Sequence, residues 1–289
     1  MTIVLSILAA YLVALVLVAL LFLRPARSPI FLSPAALGAP MEEVEFECEG
    51  LALRGWWVPH EKPCAVAIML HGYLMNRAEN AALAAALNRH GFACLLFDTR
   101  ASGKSGGRSV GLGWRERKDA LAACGFAAQK APGVKRVLFG VSMGAAAAAF
   151  ALAEKPDAAD ALILDSCYHG LASAGIGWWR FLGGWTAAVL LAPVLLVGWP
   201  ISGVNPFRVN VGRALKRVSK PTLILHGRRD ILASPRHAEM NFRAAAGPKK
   251  LTWSNRASHA EMRWIEPERY MREMLDFMEA EGVIAPSGQ

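Results

Sequence analysis

The sequence predicts an α/β fold: a mostly parallel sheet of about eight strands covered by helices on both faces, with an apolar lid insertion and an N-terminal transmembrane helix. Short apolar runs alternate with helical stretches between residues 65 and 281. A Gly-Val-Ser-Met-Gly sequence lies where one of those runs meets a helix. Two long segments, 2–23 and 181–207, contain no charged residue.

The first of these segments is mostly Leu, Val, Ala and Ile. As a helix it spans about 33 Å, enough for a bilayer core. A cleaved signal peptide calls for a basic start, a shorter apolar stretch and a small-x-small site. Here no Lys or Arg precedes the segment, while Arg24 and Arg27 follow it. An uncleaved anchor over residues 1–23 is therefore expected in the cell membrane, and the positive-inside rule puts the rest of the chain in the cytoplasm. Pro25, Pro29, Pro34 and Pro40 mark residues 24–41 as a linker.

From Val44 to Cys48 apolar and polar residues alternate, Glu49-Gly50 makes a turn, and Leu51 to Val58 returns, which predicts an antiparallel hairpin. Buried-strand runs follow at 65–70, 92–97 and 134–139, each leading to a helix, near 77–90, 114–130 and 143–154. Later strands are expected at 162–164, 222–225 and 251–253, and helices near 235–246 and 262–281. Such alternation argues for a parallel sheet covered on both faces, with the hairpin as an antiparallel edge. The domain is expected over 42–282, with the insertion at 168–206 and a tail at 283–289.

Composition narrows the function. Hydrophobic residues make up 54% of the chain, which excludes a disordered protein. The net charge of +9 permits an acidic partner, but no basic stripe interleaved with aromatics on a recognisable module points to nucleic acid. The five Cys are odd in number and widely spaced, with no Cys-x-x-Cys and no His at zinc spacing. Gly103-Lys104-Ser105 suggests a phosphate loop, yet a Walker sequence needs Gly where Asp98 stands. Neither a metal nor a cofactor is expected.

Gly140-Val141-Ser142-Met143-Gly144 follows a strand and opens an Ala-rich helix. Small residues on both sides let the chain make a strained turn with the serine hydroxyl exposed at its tip. A serine needs a base, and the base an orienting group. Both follow in the order acid, then His. Strand 222–225 runs into His226-Gly227-Arg228-Arg229-Asp230, and strand 251–253 into Asn255-Arg256-Ala257-Ser258-His259. All three lie at the C-terminal edge of the sheet, where open α/β sheets carry their sites. Asp165, ending the sixth strand, is a second candidate acid. Asp98 precedes the serine and is read as a loop-fixing residue; His71 and His226 each open a His-Gly turn and are read as geometric.

Over residues 42–282 the chain resembles the α/β-hydrolase superfamily. Beyond the serine turn the resemblance rests on Leu70-His71-Gly72-Tyr73, on Asp98-Thr99-Arg100-Ala101-Ser102-Gly103-Lys104-Ser105-Gly106-Gly107, on Gly111-x-Gly-Trp114-Arg115-Glu116, and on Leu223-Ile224-Leu225-His226-Gly227-x-x-Asp230. These look like the membrane-anchored branch of bacterial and eukaryotic serine hydrolases that includes protein depalmitoylases. The resemblance implies Ser142 as nucleophile, His259 as general base, Asp230 as the acid that holds it, and the backbone N–H groups of Tyr73 and Met143 as the oxyanion hole. It implies a serine hydrolase; together with the apolar anchor and insertion, the expectation is an acyl ester or thioester of a lipid or lipidated substrate. The alternatives are a serine peptidase of the same fold and a non-catalytic membrane scaffold.

The insertion falls between Ser142 and the other two candidates, so a single crossing of the bilayer would separate them. It is expected to stay on one side or turn back within the membrane, as a lid with Trp-rich ends at headgroup level. The basic run Arg208, Arg213, Lys216, Arg217 and Lys220 follows it, which favours an anionic bilayer surface as partner.

Overall fold

The computed structural model describes residues 1–286. Of the expected tail, residues 287–289 lie outside the described residues. In chain order the elements are α1 (Thr2–Leu23), β1 (Glu42–Cys48), β2 (Leu51–Val58), β3 (Ala65–Leu70), α2 (Ala81–Arg89), β4 (Phe92–Phe97), α3 (Glu116–Lys130), β5 (Arg136–Val141), α4 (Met143–Glu154) and β6 (Ala161–Asp165). They continue with α5 (Leu171–Leu191), α6 (Val194–Ser202), α7 (Val211–Leu215), β7 (Thr222–Gly227), α8 (Pro235–Ala244), β8 (Lys249–Ser254), α9 (Met262–Ile265) and α10 (Pro267–Ala280).

One eight-stranded sheet runs in the order β1-β2-β4-β3-β5-β6-β7-β8. The β1–β2 hairpin is antiparallel and joins β4 antiparallel; every pairing from β4 through β8 is parallel. The parallel strands are apolar along their length because helices cover both faces. Within β3, Val66, Ile68 and Leu70 face the layer of α3, α4, α7 and α8, while Ala65, Ala67 and Met69 face α2, α9 and α10. Helix α4 lies against the middle of the sheet, and Ala145–Ala149 are fully buried all round it. Only a helix that narrow fits between sheet and neighbours. On α10, Tyr270, Met274 and Phe277 are buried at helical spacing.

Several boundaries move from their expected places, those of β1, β7 and β8 by up to two residues, and two further shifts have a local cause. The strand expected at 134–139 spans Arg136–Val141, because Gly133 at φ +76° turns the chain late into the sheet and Val141 still pairs with Asp165. The helix expected near 262–281 breaks at Glu266, ahead of Pro267, whose fixed φ and missing N–H start a new helix.

Helix α1 is long and apolar enough to cross a membrane, and α5 with α6 forms a bent apolar pair, turned by 82°. Within α5 the helix breaks at Gly183 and Gly184, the latter at φ +67°. The N-terminal half of α1 projects from the body. From Leu15 onward one face packs on the insertion, where Leu15, Ala19, Trp179, Ala188 and Val194 form a buried cluster.

Candidate active site

The C-terminal ends of β3, β5, β7 and β8 converge on Ser142. Its backbone stands at φ +51°, ψ −109°, a conformation that costs a non-glycine residue about 1–3 kcal/mol. The two glycines explain how the turn closes. A Cβ on Gly140 would collide with the backbone of Gly144, and a Cβ on Gly144 would lie 2.5 Å from the carbonyl oxygen of His71. The serine turn is thus packed backbone to backbone against the turn after β3.

The loops after β7 and β8 are joined in the same way. The N–H of Arg228 donates to Ser254 O (2.8 Å) and that of Arg229 to Ala257 O (3.1 Å), and a side chain on Gly227 would strike Ala257. These contacts set Asp230 beside His259. His259 Nδ1–H donates to Asp230 Oδ2 at 2.7 Å, and Ser142 Oγ–H donates to His259 Nε2 at 2.9 Å. The other Asp230 oxygen accepts from the backbone of Leu232 (2.9 Å) and Ala233 (2.8 Å), which fixes the carboxylate's orientation. Burial disfavours the charged imidazole, but the hydrogen bond and negative charge of Asp230 outweigh it and raise the His259 pKa above the ordinary value.

The rival residues are engaged elsewhere. Asp165 accepts from Tyr270 Oη at 2.8 Å and from Ser166 Oγ at 2.9 Å. Asp98 accepts from the backbone N–H groups of Arg77 and Lys104, both at 2.8 Å, and its carboxylate leaves no room for a side chain at Gly103. His71 Nε2 accepts from the N–H of Thr99 at 3.0 Å, and its Nδ1–H donates to Gly72 O at 2.8 Å. His226 Nε2–H donates to Ala233 O at 2.7 Å and lies 3.4 Å from Asp230 Oδ2, so it braces the acid's loop rather than facing Ser142.

Tyr73 and Met143 line the same cavity as Ser142 and His259. Sequence reasoning passed over the residue that shapes this turn. Glu79, buried on the 3₁₀ turn Arg77–Asn80, accepts from the N–H of Gly72 at 2.6 Å and from Arg263 at 2.8 Å. Gly72 is thereby engaged and Tyr73 comes next in the chain. A buried Glu at the start of a helical stretch has no pattern of its own, so nothing in the sequence singled it out. Glu116 acts similarly on the facing loop, accepting from Gly111 (2.5 Å) and Gly113 (2.8 Å) so that Leu112 lines the cavity. Five of the seven non-glycine residues at positive φ (Leu74, Leu112, Ser142, Ser166 and Ala260) belong to or flank these loops. Strain concentrated in one place marks a functional site.

The cavity above Ser142 measures about 140 Å³. Its walls come from the serine turn, the Gly111–Leu112 loop, the insertion (Leu171, Trp178, Trp179, Val194, Gly198) and the end of α1 (Ala19, Phe22, Leu23). Among the described residues no Asp, Glu, Lys or Arg lines it. The indole N–H groups of Trp178 and Trp179 are buried without an acceptor.

Comparison with known proteins agrees with this architecture. The chain is 28% identical over 235 residues to an uncharacterized protein of Mycobacterium tuberculosis, covering 78% of this chain and 74% of that protein. It is 25% identical over 249 residues to the uncharacterized protein YqkD of Bacillus subtilis, covering 80% and 76%. Among solved structures, an esterase of Pyrococcus furiosus superposes with a TM-score of 0.74 at 24% identity, covering 90% of this chain and 98% of that one. The acylaminoacyl peptidase of Pyrococcus horikoshii superposes with a TM-score of 0.65 at 15% identity, covering 87% of this chain and 43% of that one. Residues 61–206, which include the His71–Tyr73 turn, the serine turn and the insertion, match the serine aminopeptidase S33 family. The chain belongs to that family and is a serine-hydrolase-like α/β hydrolase.

Proposed function

We propose that this protein is a membrane-anchored serine hydrolase that cleaves an acyl ester or thioester of a lipid or lipidated substrate. The observation that carries the reading is the unbroken Ser142–His259–Asp230 hydrogen-bond chain at the base of a cavity that, among the described residues, has no Asp, Glu, Lys or Arg in its wall. Ser142 Oγ attacks the substrate carbonyl carbon while His259 Nε2 takes its proton. Asp230 holds the ring with Nε2 free to accept and stabilises the imidazolium. The N–H groups of Tyr73 and Met143 receive the oxyanion, a contribution of about 3–4 kcal/mol for the strongest donor. The tetrahedral intermediate collapses, the carbon–oxygen or carbon–sulfur bond breaks, and His259 returns its proton to the leaving alcohol or thiol. Water, deprotonated by His259, then attacks the acyl carbon, the bond to Ser142 Oγ breaks, and His259 returns the proton to Ser142 as the acid leaves.

The family's name favours a second reading, a peptidase that removes N-terminal residues. Such an enzyme has to receive a substrate ammonium group, and no carboxylate lines this cavity among the described residues. The free indole N–H groups suit neutral oxygen acceptors, such as those of an ester, better than a cation.

The membrane part of the proposal rests on how α1 and the insertion run together. Tyr11 Oη donates to Leu190 O at 2.6 Å, and Tyr11 lies twelve residues, or about 18 Å of helix, before Leu23. With α1 across a bilayer, the insertion follows it inward to that depth and turns back at the 82° bend, returning the chain to the side it left. Exposed Leu17, Leu21, Leu182, Val189 and Leu196 then meet lipid rather than water. Arg24 and Arg27 favour the cytoplasmic side for the body.

Labelling of the full-length protein by a fluorophosphonate, followed by a panel of esters, thioesters and amino-acyl amides, tests the chemistry. Preference for the amides would replace the first reading by the second. Retention in membranes after a carbonate wash, with Met1–Leu23 present by mass spectrometry, tests the anchor.

A further inference from the structure

A tether only has to hold an enzyme near its surface, and its sequence need not touch the site. Helix α1 does more. Three polar contacts fix its end to the body: Tyr73 Oη donates to Phe22 O (2.9 Å), the N–H of Val110 donates to Leu23 O (2.9 Å), and the Arg27 guanidinium reaches the carbonyls of Gly103 (2.8 Å), Ser105 (2.6 Å) and Gly107 (3.0 Å). The Phe22 ring lies 4.4 Å from that of Trp179 in an edge contact and 6.1 Å from that of Tyr73, whose own N–H lies in the turn beside Ser142.

Ala19, Phe22 and Leu23 line the same cavity as Ser142 and His259. Ala19 lies three residues, about 4.5 Å of helix, farther from the body than Phe22. There it faces the insertion across a narrow gap: a Cβ on Gly198 would stand 3.9 Å from that of Ala19. Two small residues, one on α1 and one on α6, therefore meet in the wall of the cavity. Ala19 is 1% exposed, so a larger side chain at that position has nowhere to go but into the cavity or against α6.

Resting on the acyl hydrolase reading above, we infer that the anchor helix is a specificity element of the enzyme. The acyl chain of the substrate lies against Ala19, Phe22 and Leu23, and Ala19, opposite Gly198, sets how long a chain the cavity accepts.

The test uses full-length protein in lipid vesicles and two alkyl fluorophosphonates, one with an ethyl and one with a decyl chain, whose labelling rates at Ser142 are compared. Ala19→Leu is expected to slow decyl labelling by tenfold or more relative to ethyl labelling, and Ala19→Gly to leave the ratio unchanged or shift it toward decyl. Leu21→Phe, on the outward face of α1 at 69% exposed, is expected to leave both rates as they are. A wild-type decyl-to-ethyl ratio retained in Ala19→Leu overturns the inference while leaving the hydrolase proposal standing. Equal slowing of both probes in Ala19→Leu and Ala19→Gly also overturns it, since the position would then serve packing alone. Wild-type protein that reacts with neither probe defeats the hydrolase proposal itself.

Discussion

The base of the site and its roof are built on different principles. At the base, backbone approaches backbone at Gly140, Gly144 and Gly227, and buried carboxylates of Glu79, Glu116, Asp98 and Asp230 each hold two or more N–H groups. In the roof, α1, α5 and α6 meet through apolar side chains and one polar contact, Tyr11 to Leu190. Hydrogen bonds and close approach fix atoms to fractions of an ångström, whereas apolar packing fixes volume and tolerates sliding. Chemistry that needs a near-attack geometry belongs on the first kind of support. A cavity that must admit chains of varied shape belongs under the second.

The largest effects should come from breaking the base at its centre. Ser142→Ala is expected to abolish fluorophosphonate labelling and lower kcat by about 10⁴-fold or more, with the far-UV circular dichroism of the folded protein retained, and His259→Ala to do comparable damage because the residues act as a unit. Ser142→Ala also relieves no backbone strain, since Ala inherits the same positive φ, so a rise in Tm is not expected from that source. Activity surviving in Ser142→Ala would move the chemistry elsewhere.

The two buried acids sharpen the comparison within the base. Asp230→Asn should cost about 10⁴-fold in kcat, because His259 loses the carboxylate that sets its tautomer. Asp165→Asn should cost far less in rate, its partners being Tyr270 and Ser166. The pH profile separates them further. Catalysis needs neutral His259, and its pKa stands above the ordinary histidine value of 6.5. So kcat/KM should fall as pH drops through a pKa above that value. Removing the Asp230 charge should carry this acid limb to lower pH, while Asp165→Asn should move it less.

Glycines offer a comparison of base with roof by stability. Gly144→Ala brings a Cβ to 2.5 Å from the carbonyl oxygen of His71 and 2.7 Å from that of Leu70, backbone that cannot move without disturbing β3. It should lower stability by several kcal/mol, in the range of the severest point substitutions. Gly184→Ala, at the break in α5, meets nothing within 4 Å and bears only the strain of a backbone region that is essentially glycine's own (φ +67°, ψ −160°), about 1–3 kcal/mol. Equal losses in denaturant unfolding would mean that the roof is as tightly defined as the base.

How much was legible beforehand follows the same division. The Gly140–Gly144 run, the His71-Gly72 turn and the Asp98–Gly107 loop are short, local patterns, because close approach and tight turns demand particular residues at fixed offsets. The apolar runs put the strands within two residues of their places, and the serine turn with the order acid, then His, put Ser142, Asp230 and His259 at one edge. Glu79 stayed hidden, since its partners Gly72 and Arg263 are far apart in sequence. In the roof, an uncharged run records the solvent a helix prefers, and carries no record of which helix it meets. Segment 1–23 therefore read as an anchor joined by a linker, and nothing in its residues announced that Ala19, Phe22 and Leu23 line the cavity. The turn in the insertion could be inferred only from topology, because residues on both its sides had to meet.

The smallest expected effect is on the outer surface of the roof, where Trp185 and Val189 are 65% and 71% exposed and line no part of the cavity. The Arg180 guanidinium lies over the Trp185 ring at 4.3 Å, an arrangement that sets an aromatic beside a cation as at the edge of a bilayer. On the proposed seating, replacing both residues by Ser removes apolar area from lipid without altering the cavity wall. In vesicles this double variant should hydrolyse a short, soluble ester at the wild-type rate. Its kcat/KM for a long-chain ester presented in the bilayer should fall by about tenfold, the equivalent of roughly 1.4 kcal/mol of lost seating. With the proposed anchor α1 left intact, the loss should appear in KM with kcat unchanged. Depth-dependent quenching of Trp185 fluorescence by nitroxide-labelled lipids checks the seating directly. Trp185 unquenched at any depth, together with equal kinetics for both esters, would mean that the insertion faces water or protein, and that only α1 meets the bilayer.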